Sequence, residues 1–139
     1  MIRRVGQIHI SVTDIDRAVA FYRDVLELQL LFEVPGQDMA FFDCGGVRLY
    51  LGRAESPEFE SRALLYYAVE GIEDAHATLA GRGVEFVSEP HAVHSAGGTE
   101  LVLAFFRDSE GNLVALMEER PAADGGPGDR TSGGPATTP

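Results

Sequence analysis

The chain carries a single cysteine, Cys44, so no disulfide can form within it. Basic residues are scarce too: 11 Lys and Arg stand against 22 Asp and Glu, a formal net charge of -11. Nucleic acids and anionic membrane surfaces attract clustered Lys and Arg, so neither is an expected partner and small molecules are. No apolar run is long enough to span a bilayer. Met1 leads through Arg3 and Arg4 straight into a short alternating stretch, without an apolar signal segment, and a cytoplasmic protein is expected. Apolar residues nearly vanish after Pro121, where Gly, Pro, Thr and Ala take over. Residues 122–139 have little to bury against the entropy of ordering them, and a disordered tail is expected there.

What is present is a repeat. His9-Ile10-Ser11-Val12-Thr13-Asp14-Ile15-Asp16-Arg17-Ala18 returns 57 positions later as Tyr66-Tyr67-Ala68-Val69-Glu70-Gly71-Ile72-Glu73-Asp74-Ala75. Two copies of one supersecondary unit predict matched positions that face each other across a shared cleft. With 139 residues, 45% of them hydrophobic, the expectation is one domain over 1–121, built from units at about 5–53 and 62–119.

Residues 7–12 alternate Gln7, His9 and Ser11 with Ile8, Ile10 and Val12, which predicts a strand with His9 on its polar face. Thr13 reads as the cap of a helix whose apolar stripe is Ile15, Ala18, Val19, Tyr22, Val25 and Leu26. Strand-like runs follow at 29–34, 39–42 and 47–51, with Pro35-Gly36 and Gly45-Gly46 as turns. The second copy reads as a strand at 64–69, a helix carrying Ile72, Ala75, His76, Leu79 and Ala80 and stopped at Gly81-Arg82-Gly83, and strands near 84–87, 100–107 and 113–118. Residues 88–99 read as a longer loop that enlarges the repeat offset to 65 and serves as a specificity element. The architecture is then α+β, two βαβββ units forming a curved mixed sheet around a central cleft.

Three stretches carry a resemblance: Ile8-His9-Ile10-Ser11-Val12-Thr13-Asp14, Ala20-Phe21-Tyr22-Arg23-Asp24-Val25-Leu26 and Phe106-Arg107-Asp108-Ser109-Glu110-Gly111-Asn112. Over about residues 5–119 the chain resembles the vicinal oxygen chelate superfamily of glyoxalase I, bleomycin resistance proteins, extradiol dioxygenases and methylmalonyl-CoA epimerase. The resemblance implies a homodimer. It also implies, for the metal-using members, a divalent ion (Zn, Ni, Mn or Fe) that polarises two adjacent substrate oxygens. Carried over by register, the family's four ligand positions fall on His9, Tyr50, Tyr66 and Ala115. Only His9 is an ordinary ligand, and Ala115 stands where family enzymes place a carboxylate.

Strand alternation turns Glu118 away from the face of position 115, while Glu119 shares that face one step too far along. A substitute ligand set would draw on His9 with His91, His94, Glu100 and Glu119. Tyr50 and Tyr66 read better as aromatic walls than as ligands, because a phenol is protonated at neutral pH. Cys44 has no partner thiol and His76 lies on a helix stripe, so both read as structural. One member of each pair Phe41-Phe42 and Phe105-Phe106 should face the cleft.

The leading expectation is a small-molecule binder with a degenerate metal site, whose ligand meets His9, Tyr50, Tyr66, His91, His94 and Glu100. The alternative is a metal-dependent lyase, isomerase or dioxygenase that holds its ion through His9. No catalytic residue is assigned.

Overall fold

A computed structural model describes residues 1–61 and 63–122. The expected tail, from residue 123 on, lies outside the described residues, as does Arg62 of the linker. The described residues form two compact units, 1–61 and 63 with the short segment 109–111, and 64–108 with 112–122.

In the first unit, β1 (Gln7–Ser11) leads into α1 (Ile15–Ala20), which continues as a π-helical turn, Phe21–Val25. Three strands follow, β2 (Gln29–Val34), β3 (Met39–Cys44) and β4 (Val47–Gly52), then a 3-10 turn at Pro57–Phe59. The sheet order is β1-β4-β3-β2, with β1 parallel to β4 and the other pairs antiparallel. The period of two sets this arrangement: Ile10, Val12, Phe42, Leu49 and Leu51 are buried, and α1 packs on their side, with the Tyr22 ring of its π-helical continuation 6.1 Å from Phe42. His9, Phe41 and Tyr50 therefore stand on the opposite face.

The helix cap differs from expectation. Asp14, in an extended conformation, accepts from the Arg17 N–H and is the N-cap. Thr13 instead donates its N–H (2.8 Å) and its hydroxyl (2.9 Å) to Glu110 Oε1. Glu110 Oε2 accepts from the Asp14 N–H (3.3 Å) and from Arg17 Nη2 (3.0 Å). Burial of this carboxyl acts to raise its pKa, but the donors from Thr13, Arg17 and Asp14 outweigh that and hold it below the usual glutamate range. A depressed folded-state pKa contributes stability that is complete above the usual glutamate range and is lost as pH falls through the folded value. Glu110→Gln is accordingly expected to cost about 2 kcal/mol at pH 7, with the gap to the parent closing in acid. Urea titrations at pH 7 and at pH 3 measure it; a pH-independent gap would contradict the charge-based account.

The second unit runs β5 (Tyr66–Ala68), α2 (Ile72–Gly81), β6 (His91–Ala96), β7 (Thr99–Arg107) and β8 (Leu113–Pro121). Its sheet has the order β5-β8-β7-β6, the same topology as the first. α2 packs on β7 and β8, on the side of buried Val102, Ala104, Phe106, Val114 and Leu116. Gly71 offers α2 no side-chain cap, and Glu118 replaces one by accepting from the Gly71 and Ile72 N–H groups (2.8 and 3.0 Å). Those two donors hold its carboxyl below the usual range. Glu118 thus points to the helix side, as strand alternation requires. The His76 ring lies 4.2 Å from Phe86, a packing role.

Two expectations in this unit are corrected. Residues 84–87 form no strand; only Phe86 makes a bridge, to Phe106. Residues 88–99 are not a long loop, because His91–Ala96 is a strand turned back at Gly97-Gly98 onto β7. Both glycines have positive φ (62° and 82°), which a tight hairpin turn demands. The Ala122 N–H donates to Gly98 O at 2.7 Å.

Candidate functional site

The strand registers place the four family positions in two matched pairs: His9 opposite Tyr50, and Tyr66 opposite Ala115. In the first unit the row continues, because Tyr50 pairs with Phe41 and Phe41 with Phe32. A bulge between Leu30 and Phe32 turns Phe32 onto this face. The result is four rings in file across all four strands. Ring centroids are 4.7 Å apart for His9 and Tyr50, 4.8 Å for Tyr50 and Phe41, and 4.6 Å for Phe41 and Phe32. Interplanar angles of 34°, 11° and 23° make this a stack of rings standing up from the sheet. Phe41 in the middle is only 7% exposed, whereas Phe32, on the edge strand, is 46% exposed and ends the stack in the open.

The Tyr50 ring folds back along its own strand. A Cβ at Gly52 would stand 2.6 Å from the Tyr50 Cε1 and 2.8 Å from its hydroxyl, so any other residue there displaces the ring. Sequence reasoning placed Tyr50 as a wall and one of Phe41 and Phe42 beside it. It missed Phe32, whose face depends on the bulge, and Arg48, which alternation alone puts on the Tyr50 face. The Arg48 guanidinium carbon lies 5.1 Å from the Phe41 centroid.

His9 is fully engaged within its own unit. Nδ1 lies 3.1 Å from Phe59 O and Nε2 lies 3.1 Å from Gly52 O. Each ring nitrogen thus faces an oxygen that only accepts, and the neutral ring donates its one N–H to one of the two, as its tautomer decides. A metal ligand needs a nitrogen lone pair aimed at the ion, and in this pose neither nitrogen offers one to open space. Ser11, one strand step on, accepts from the Ser61 N–H at 2.9 Å, so β1 holds the 56–61 segment by two side chains.

In the second unit the matching row is Tyr66, Ala115 and Phe105. Ala115 is fully buried, and the rings on either side of it meet edge to face, with centroids 6.0 Å apart. His91 pairs with Leu103 and His94 with Leu101, which puts both histidines on the face of Ala115. Glu119 also pairs with Leu101 and so shares that face, in the row of His94. Glu100 does not join them. It lies on the helix side, where Arg120 donates to it (3.2 Å) and to Glu73 of α2 (2.8 Å). The sheet itself separates Glu100 from the two histidines, and the substitute ligand set does not assemble with it. The His91 Nδ1 lies 2.7 Å from Glu89 O.

The donor set does not fit a divalent ion. Of the four family positions one is alanine, two are phenols and the histidine is turned onto carbonyls. Among the described residues no three His, Cys, Asp or Glu side chains converge as a metal's ligands would. Cys44 is no nucleophile in waiting either, since burial, and then the charge of Asp43, pushes its thiol pKa up.

Comparisons with known proteins agree with this architecture. The uncharacterised protein YraH of Bacillus subtilis is 27% identical over 125 residues, covering 81% of this chain and 95% of YraH. Among solved structures, TnmS3, an antibiotic binding protein from Streptomyces sp. CB03234, shares the fold with a TM-score of 0.68 at 23% identity, covering 87% of this chain and 98% of TnmS3. Lactoylglutathione lyase from Agrobacterium tumefaciens does so with a TM-score of 0.62 at 22% identity, over 83% of this chain and 92% of that one. The sequence profile of the glyoxalase/bleomycin resistance protein/dioxygenase superfamily matches residues 4–116, and the chain belongs to that superfamily.

Proposed function

We propose that this protein binds a small organic molecule with a planar ring system on the aromatic face of its first unit, and that it does so without a metal ion. The observation that carries this reading is the file of four rings, His9, Tyr50, Phe41 and Phe32, ending on an exposed face of Phe32. Each ring is held by its neighbours, so the surface is in place before a ligand arrives and little side-chain entropy is lost on binding. A ligand ring added beyond Phe32 continues the offset stacking already present.

The scaffold supports binding as well as catalysis: TnmS3 is described as antibiotic binding, and the Agrobacterium tumefaciens relative is a lyase. Donor chemistry separates the two uses here. Polarising a substrate's paired oxygens needs a Lewis acid, and the family positions of this chain supply no carboxylate and no free imidazole. Sequestration of a ring-bearing compound by a cytoplasmic homodimer completes the reading.

The test is elemental mass spectrometry on untagged protein, before and after incubation with zinc, nickel, manganese and ferrous iron, run beside a native mass spectrometry screen of planar aromatic compounds. We expect no stoichiometric metal, and one-to-one complexes that weaken in Tyr50→Ala. Stoichiometric metal that disappears in His9→Ala would instead establish the metal-dependent lyase, isomerase or dioxygenase reading. The mass of the free protein in the same spectra reports the dimer.

A further inference from the structure

Beside the aromatic file, one strand step away, runs a polar row on the same face: Gln7 pairs with Arg48, Arg48 with Asp43 and Asp43 with Gln29. An open groove of about 590 Å³ lies here, lined by Arg4, Gly6, Gln7, Leu31, Asp43, Gly46 and Arg48. Its charge runs against that of the chain: two guanidinium groups and one carboxylate, in a protein with a net charge of -11.

The two arginines play different parts. Arg4 Nη1 donates to Gly46 O (3.0 Å) and to Val5 O (3.3 Å), which ties it into the groove wall. Arg48 donates through Nε to Gln7 Oε1 at 2.8 Å, which fixes the plane of its fork. Its two terminal Nη groups have no partner among the described residues, so the oriented half of the guanidinium that matches a carboxylate is uncommitted. The same guanidinium stands 5.1 Å from the Phe41 centroid, and Phe41 stacks on Phe32.

We propose that the ligand of this face is an aromatic anion, a planar ring system carrying a carboxylate or an equivalent acidic group, with the ring on the Phe32 end of the file and the anion on Arg48. This rests on the small-molecule-binding reading above and narrows it to a chemical class. Asp43 across the row accepts from the Gly46 N–H (3.3 Å) and leaves carboxylate surface in the groove, which repels a second anionic group and accepts from a hydroxyl or amine on the ring.

The experiment uses the full chain and two probes of equal shape, 2-naphthoate and the neutral 2-naphthamide, titrated by NMR in low salt. Naphthoate is expected to bind about tenfold more tightly, with the largest shifts at the Arg48 Nε–H and at Gly46. Arg48→Gln, at an exposed position, should remove that preference by weakening naphthoate alone, and high salt should do the same to the parent. Equal binding of both probes, or a preference that survives Arg48→Gln, would overturn the assignment of the anion while leaving a small-molecule binder. Failure of both probes to bind would overturn the aromatic-anion inference itself, while the broader compound screen still decides the parent reading.

Discussion

Ala115→Glu is expected to lower stability by about 3–5 kcal/mol and to recruit no metal. Restoring the carboxylate of the family enzymes looks from sequence like a repair. The site it would enter is closed, because Ala115 is fully buried and the Tyr66 and Phe105 rings meet over it. The new side chain must part that ring pair and carry a charge into apolar surroundings without a partner, and each cost is large. In the first unit both nitrogens of His9, the one ordinary ligand among the family positions, face carbonyl oxygens. Denaturant unfolding of Ala115→Glu beside Ala115→Gln separates charge from volume, and the glutamate variant should regain stability as pH falls and its carboxyl protonates. A stable glutamate variant carrying one zinc or nickel ion per chain would show that the row opens to a metal.

Phe41→Ala is expected to cost about 3–4 kcal/mol and to abolish binding of ring-bearing ligands. Phe41 is nearly buried and is one of the two inner members of the file, with Tyr50 at 4.8 Å on one side and Phe32 at 4.6 Å on the other. Truncation leaves a cavity in the sheet face and frees both neighbours to rotate. Phe41→Leu keeps most of the volume and none of the stacking, so it should hold stability within about 1.5 kcal/mol of the parent while weakening ligand binding at least about tenfold. Thermal unfolding and ligand titration on the same samples give both quantities. A leucine variant that binds as the parent does would reduce the file to a packing device.

Much of this was legible in the chain. The 57-residue repeat foretold two units of one topology, and alternation put His9 on one face of its strand and Ile10 on the other. The register carried over by resemblance, His9 with Tyr50 and Tyr66 with Ala115, is the register of the sheets. Glu118 turned to the helix side for the same reason, a side-chain period of two that holds along a strand without a bulge.

Other features depended on contacts the periods do not encode. The hairpin at 91–99 was concealed by His, Ser and Ala, residues that do not announce a strand but extend on an edge once β7 offers its hydrogen-bonding groups. Thr13 fits a cap as well as Asp14 does, and it lost that part because Glu110, distant in sequence, takes its N–H and hydroxyl.

The sequence by itself determined the fold class and the residue types at the positions that the family resemblance picks out, because these follow from local period and residue identity. Only the tertiary structure decided what those positions do. It turned both His9 nitrogens onto carbonyls, closed Tyr66 and Phe105 over Ala115, moved Glu100 to the far side of the sheet and brought Phe32, Phe41 and Arg48 onto one face. Those are outcomes of strand order, a bulge and long-range hydrogen bonds, which join residues far apart in the chain and leave no trace in its local pattern.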